Sequence, residues 1–347
     1  MSLTPPTVTQ RDVALACGVH ASTICLALKD APSLPLETRR RIQETARALG
    51  YQPNAAARNL ALLRSERNTG GSLPIAWINQ EPKANHWRTD PEASPFLTGA
   101  RRRATELGYR LEEFWAREPG MSVARLIQIL TARGLGGALL PVHHAFDFSL
   151  LHPGWETFSL VGLNDHRLGE WADVVCPDYY HNQDLVLRQL RRQGGRRVGL
   201  VLPSQRDAAT QGVLHGGFLR HQAELPVSDR VPVCFVSGDR AERSMVVDDW
   251  IRDHHPEAVV CWDRELAEGA DLQRYPVRWY RPQGGDTGEV AGVDDRPEWV
   301  GAVAVECLVG KMRHFEKGLR GPSRMHLVKG TAPALAGAEV ACDPVVA

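Results

Sequence analysis

The sequence predicts an α/β protein in which a small all-helical head precedes a body of two doubly wound parallel sheets. Three observations predict it. The first fifty residues place small apolar side chains at helical spacing on either side of a glycine. From Leu73 onward, short apolar runs alternate with amphipathic segments, the pattern of parallel strands covered on both faces. That pattern restarts near residue 178, so a chain of 347 residues, 43% of them hydrophobic, divides into a head and two lobes.

In the head, Thr9 is placed to cap a first helix whose inner stripe is Val13, Ala14 and Cys17. Gly18 follows, a residue able to take the positive φ of a sharp turn, and Val19 fills the space between helices. A second helix turns Ile24, Ala27 and Leu28 inward and leaves Ala21, Ser22, Cys25, Leu26 and Lys29 outward. Pro32 and Pro35 end it. A third helix opens near Leu36-Glu37-Thr38 and packs through Ile42, Ala46 and Leu49, with Arg39, Arg40, Arg41 and Arg47 on its other face. That basic run is either a solvated face or a set of phosphate contacts. Two short helices joined by a glycine turn, with a third behind them, describe a helix-turn-helix reader of double-stranded DNA. A proline-initiated segment from Pro53 to Leu60 extends it as a hinge.

Charge agrees with that partner. The chain holds 41 basic and 41 acidic residues, but residues 1–67 hold nine Lys/Arg against five Asp/Glu. The head is therefore +4 and the remainder −4, the asymmetry expected when one end meets phosphate.

After a polar linker from Arg64 to Ser72, strands are expected at 74–78, 110–115, 137–140, 158–162 and 174–176, with helices at 96–107 and 122–132. The second lobe repeats the pattern with strands at 198–202, 231–236, 258–262, 277–280 and 290–293. Its helices fall at 182–192, 210–222 and 241–254; a long helix at 298–315 and a strand at 325–328 close the chain. Ligands of such folds bind beyond the carboxyl ends of the strands.

Other function classes find little support. No stretch approaches the roughly 18 uninterrupted apolar residues of a membrane span, and Pro5, Pro6, Gln10 and Arg11 interrupt any secretion-like start. Seven scattered cysteines without a CxxC pattern read as thiols of a reducing cytoplasm. His215-Gly216-Gly217 lacks a Gly-x-Ser-x-Gly elbow to serve, Gly134–Gly137 is too short for a dinucleotide fingerprint, and no phosphate loop occurs. No enzyme activity and no cofactor are therefore expected. The adjacent pairs His143-His144 and His254-His255 are read as solvated, because neighbours on a strand or helix point apart, and no metal is expected.

The linked series Asp12-Val13-Ala14, Gly18-Val19, Thr23-Ile24, Thr38-Arg39 and Gly50-Tyr51-Gln52-Pro53-Asn54 resembles the head and hinge of the LacI/GalR family of bacterial transcriptional regulators. Gly292-Val293-Asp294-Asp295, with the helix after it, resembles that family's periplasmic-binding-protein-like core. The resemblance implies a helix-turn-helix domain over 1–53, a hinge helix and linker over 54–72, and an effector-binding and dimerisation core over 73–347. Within the core, lobe 1 is expected over 73–177 and lobe 2 over 178–305, with C-terminal segments crossing between them. It also implies a repressor that binds a near-palindromic operator as a homodimer under control of a small molecule, such as a sugar or related metabolite, in the interlobe cleft. The alternative is an architectural DNA binder whose core only dimerises.

Candidate DNA contacts are Thr9, His20, Ala21, Ser22, Thr23, Leu26 and Lys29 in the head, then Tyr51, Asn54, Ala57 and Leu60. The resemblance assigns Leu60 a minor-groove wedge, a device that kinks DNA; as a plain linker residue it would have no such role. This chain departs from the family where His20 replaces the usual serine before the recognition helix and Leu26 replaces a polar residue. Arg-to-guanine or Asn-to-adenine contacts are thus missing from mid-helix, leaving hydroxyl, apolar and shape readout. Asp294 is the first effector candidate by resemblance, with helix capping as its other role, and Phe96, Trp262 and Asp178 are cleft or core residues by position. The family's ligand-binding arginine would fall near Leu214 and is absent.

Overall fold

The structure is a computed structural model that describes residues 8–28, 34–51, 72–144, 146–267, 278–281, 291–318 and 323–331. It divides into two compact units, Met1–Gly71 and Ser72–Ala347. Among the described residues no single helix is long and apolar enough to cross a membrane.

The head contains α1 (Gln10–Cys17), α2 (Ala21–Leu28) and α3 (Leu36–Ala48). Thr9 and Asp12 close a reciprocal capping box at the start of α1. Gly18 ends that helix at φ 65°, where its N–H and that of Val19 return to Leu15 and Ala14 carbonyls. Val13, Ile24, Ala27 and Ile42 are fully buried at the centre, joined by Ala14, Cys17 and Ala46. Gln43 reaches back from α3 to the Ala27 carbonyl at 2.9 Å, serving an acceptor at the end of α2. Leu49, expected inside, is 41% exposed because α3 ends at Ala48 and the chain turns there.

The body forms eleven strands among the described residues. In chain order β1 (Leu73–Asn79), β2 (Tyr109–Trp115), β3 (Gly137–Pro141), β4 (Ser159–Leu163) and β5 (Asp173–Pro177) come first. Then come β6 (Val198–Pro203), β7 (Val233–Val236), β8 (Ala258–Cys261), β9 (Arg278–Arg281) and β10 (Ala291–Gly292), and last β11 (Met325–Val328). They make two parallel sheets, ordered β11-β5-β4-β3-β1-β2 and β10-β9-β8-β6-β7. β3, β4 and β5 are buried at every position, as their continuous apolar runs require of strands covered on both faces.

Helix Pro297–His314 and β11 both belong to the first sheet's lobe. That helix covers β3, β4 and β5 through Val300, Ala304, Val305 and Leu308 and packs on helix Ser94–Glu106. The boundary expected at 305 therefore falls inside a lobe 1 helix, and lobe 2 ends near β10. The expected span missed this because helix spacing reveals an apolar face but not which sheet covers it.

The two helix backbones touch at Gly99 and Gly301: a Cβ on Gly301 would lie 2.0 Å from the Phe96 carbonyl oxygen. The segments crossing between lobes are knitted together. Asp178 N–H donates to Val328 O at 2.8 Å, Gly330 N–H to Asn182 Oδ1 at 2.9 Å, and Asp294 pairs with Thr331 in an antiparallel bridge.

Candidate functional site

The head and the interlobe cleft each present a site. In the head, α2 buries Ile24 and Ala27 and turns Ala21, Ser22 and Leu26 outward, with Leu26 40% exposed and Thr23 half-buried. His20 occupies the turn into α2. Its Nδ1 accepts from the Ser22 backbone N–H at 3.3 Å and stands 2.8 Å from Ser22 Oγ, while its carbonyl accepts from Thr23 and Ile24. An imidazole thus does the N-capping that a hydroxyl usually does, which the sequence reading had not assigned to His20. Thr9 is exposed, its hydroxyl held by Asp12 at 2.7 Å. Tyr51 packs partly against the head core. Arg40, Arg41 and Arg47 lie exposed along α3. Lys29, Asn54, Ala57 and Leu60 lie outside the described residues.

The cleft is a cavity of about 340 Å³ at the carboxyl ends of both sheets. Asp90, Glu92, His143, His144 and Asn164 line it from lobe 1, and Gln205, Arg206, Arg243, Trp262, Asp263, Arg264 and Glu265 from lobe 2. Asn164 leaves β4 in the left-handed region at φ 67°, a backbone that asparagine tolerates better than most residues. Its amide donates to Val142 O at 2.8 Å, and its Oδ1 accepts from the Tyr179 hydroxyl. The Trp262 indole and the Tyr179 ring pack T-shaped at 71°, and the indole donates from Nε1 to Gln183 Oε1 at 3.0 Å. Arg206 stands over the Tyr179 ring at 5.9 Å.

A polar cluster, buried except at His144, supports the lobe 1 wall. Glu81, 2% exposed just past β1, accepts the His143 backbone N–H at 2.9 Å and His144 Nδ1 at 2.9 Å. His86 Nε2 lies 2.9 Å from His143 Nδ1. Burial pushes the Glu81 carboxyl up, but the His144 and His143 hydrogen bonds outweigh it and hold it below the usual carboxylate range. Hydrogen bonding to Glu81 likewise holds His144 above the ordinary histidine value. Burial, with His144 and Arg206 nearby, pushes His143 down to about 3.

Of the effector candidates, Trp262 lines this cavity. Phe96 is buried between the helices of lobe 1, edge-on to Trp87, and is a core residue. Asp178 caps helix Tyr179–Arg192 through the His181 N–H at 3.0 Å. Asp294 is exposed, its Oδ1 taken by the Arg296 N–H at 2.8 Å, so it secures the crossing segment. Leu214 is fully buried in the core. Glu81, His86, Arg206 and Asp263 had not been singled out as ligand-site residues. The available signal was the polar run Asn79-Gln80-Glu81 directly after an apolar strand. The solvated reading holds for His144, whose side chain is 60% exposed, and is corrected for His143, whose side chain is 8% exposed. Both occupy a bend beyond β3, where the alternation of a strand no longer separates neighbours, and their ring centroids lie 4.6 Å apart.

The HTH-type transcriptional regulator MalR of Staphylococcus xylosus is 38% identical to this chain over 66 residues, 19% of each protein. The maltose regulon regulatory protein MalI of Escherichia coli K12 is 25% identical over 269 residues, 76% of this chain and 74% of MalI. The chain is similar to bacterial transcriptional regulators, in its first residues most strongly and at lower identity over three-quarters of its length. The match thus spans about a fifth of MalR and three-quarters of MalI. No protein-family profile matches the chain. Among solved structures, the regulator CelR in complex with cellobiose matches with TM-score 0.57 at 17% identity, covering 94% of this chain and 98% of that one. The lac repressor dimer bound to operator and the anti-inducer ONPF matches with TM-score 0.54 at 16% identity, covering 94% and 97%. At these low identities the solved structures carry the fold.

Proposed function

We propose that the protein is a transcriptional repressor that binds a near-palindromic DNA operator as a homodimer, with a small molecule in the interlobe cleft setting its affinity. The observation that carries this reading is the outward face of α2, where Ala21, Ser22 and Leu26 stand clear of the head's buried core of Val13, Ile24, Ala27 and Ile42. A short helix presented this way enters the major groove by its N-terminal residues. Leu26 and Ala21 suit thymine methyls, Ser22 suits a base edge or phosphate, and Arg40 and Arg41 supply basic charge for the backbone.

Two-fold symmetry of a dimer pairs two heads with two half-sites. The maltose regulon regulatory protein MalI and the CelR–cellobiose complex support a hydroxyl-rich metabolite as effector. The cleft offers such a ligand an indole at Trp262 and carboxylates at Asp90 and Asp263. Ligand control requires different affinities for the two cleft states, typically about 1–3 kcal/mol of coupling. The activity proposed is binding, not turnover. The free thiols of Cys17, Cys176, Cys234, Cys261 and Cys307 suit a reducing cytoplasm.

The test is selection of the full-length chain against a random-sequence duplex library near physiological salt. Enrichment of an inverted repeat supports the reading. Recovery of no preferred sequence, with and without cell extract to supply an effector, overturns it in favour of an architectural binder.

A further inference from the structure

We infer that His86, His143 and His144 form a binding site for one divalent transition-metal ion of the zinc class on the lobe 1 wall of the cleft. The three imidazoles come from two segments brought together by the sheet: the short helix His86–Thr89 after β1 and the bend after β3. One nitrogen from each ring lies within 4.8 Å of the others. His86 Nε2 and His143 Nδ1 are 2.9 Å apart. Two nitrogens held at about 2.0–2.1 Å around a tetrahedral zinc stand roughly 3.3 Å apart, so a few tenths of an ångström separates the hydrogen-bonded pair from a ligand pair.

The surroundings are those of an imidazole metal site. A ligating histidine usually gives its other nitrogen's proton to a carboxylate, which fixes tautomer and ring orientation. Glu81 Oε2 receives His144 Nδ1 at 2.9 Å, leaving the His144 lone pair on Nε2. Glu92 Oε2 lies 3.8 Å from His143 Nε2, placing a second carboxylate behind the ring whose Nδ1 faces His86. Both carboxylates would offset the charge of the ion. His143 and His144 also line the cleft cavity, which provides an entry path and room for a fourth ligand. Three imidazoles favour Zn²⁺, Co²⁺, Ni²⁺ or Cu²⁺ over the oxygen-seeking Mg²⁺ and Ca²⁺. This inference does not depend on the regulatory reading, since a chain that selects an operator yet binds no such ion refutes it alone.

The experiment uses the full-length chain stripped with a chelator, titrated with Co²⁺ under visible absorption and then with Zn²⁺. Saturation of the cobalt spectrum at one equivalent, displacement by Zn²⁺ and indifference to Mg²⁺ support the site. His86→Asn/His144→Gln should lower affinity at least a hundredfold, and Glu81→Gln about 10–100-fold with unchanged stoichiometry. Equal binding by the histidine variant, or no saturable spectrum, overturns the proposal. Electron paramagnetic resonance of the unaltered chain with one equivalent of Cu²⁺ provides a readout that needs no variant to fold. Coupling to imidazole nitrogens supports the site, and an oxygen-only signature overturns it.

Discussion

Glu92 and Arg264 face each other across the cleft, with Oε1 and Nη1 4.0 Å apart, one on each lobe. Both side chains are partly exposed, so the pair contributes up to about 1 kcal/mol. That is enough to shift a balanced equilibrium between open and closed clefts several-fold. Glu92→Arg should widen the distribution of spin-label distances between lobes, and Glu92→Arg/Arg264→Glu should narrow it again. A distribution unmoved by either variant would show that the pair does not influence closure.

Gly301 sits where two lobe 1 helices meet backbone to backbone. A methyl group 2.0 Å from the Phe96 carbonyl cannot be accommodated by a rotamer change. Gly301→Ala should therefore destabilise the body by about 1–3 kcal/mol or more, measured as a lower urea midpoint. Gly310→Ala, on the same helix with nothing within 4 Å of the new Cβ, is the control and should hold or raise the midpoint, since alanine favours a helix interior by about 0.5–1 kcal/mol.

Trp262→Phe keeps an aromatic ring in the cleft but removes the donor to Gln183. Leaving the buried Gln183 oxygen without that bond should cost about 1–3 kcal/mol in chemical denaturation. A variant as stable as the parent would mean that Gln183 finds another donor.

Stability should fall as the solution is acidified through the ordinary histidine range, partly because of His221. Burial, reinforced by Arg191 and opposed by Glu224 and Asp184, holds its folded pKa below the usual 6.5. The unfolded chain then takes up a proton before the folded one, so this contribution is present above pH 6.5 and is lost as the pH drops towards the lower folded value. His221→Gln should flatten the dependence of unfolding free energy on pH in that window. An unchanged slope would place the acid sensitivity elsewhere, with His166 the next group to alter, since burial lowers it too.

Arg40→Ala should weaken DNA binding about equally across sequences and reduce the salt slope by about one. Unchanged salt dependence would return the basic face of α3 to solvent.

Strand and helix positions were legible because apolar periodicity reports burial, and this body buries its strands on both faces. The helix expected at 298–315 is found at Pro297–His314, and the strand at 325–328 is found at those residues. Allegiance was less legible: the spacing of Val300, Ala304 and Leu308 declares an apolar face, not the sheet beneath it. The cleft was the hardest part to read. Glu81, His86 and His143-His144 lie far apart in sequence, and the bend that turns two adjacent rings together has no period to detect. Trp262 could be placed because it directly follows a buried strand. The same positional reasoning offers Phe96 to the cleft, and the structure buries it in the lobe 1 core because a helix start has an inner as well as an outer side.

The crossing of helix Pro297–His314 and β11 into lobe 1 sets an order of assembly during synthesis. β11 joins the edge of β5 only after about 150 further residues have been made, and the helix that covers β3, β4 and β5 emerges shortly before it. Lobe 2, from Tyr179 to β10, is contiguous and can complete its sheet while lobe 1 still has an uncovered apolar face. The first-made lobe is thus the last to be completed, and a chain cut after β10 would leave the apolar faces of β3, β4 and β5 without the helix that covers them, a surface that invites aggregation.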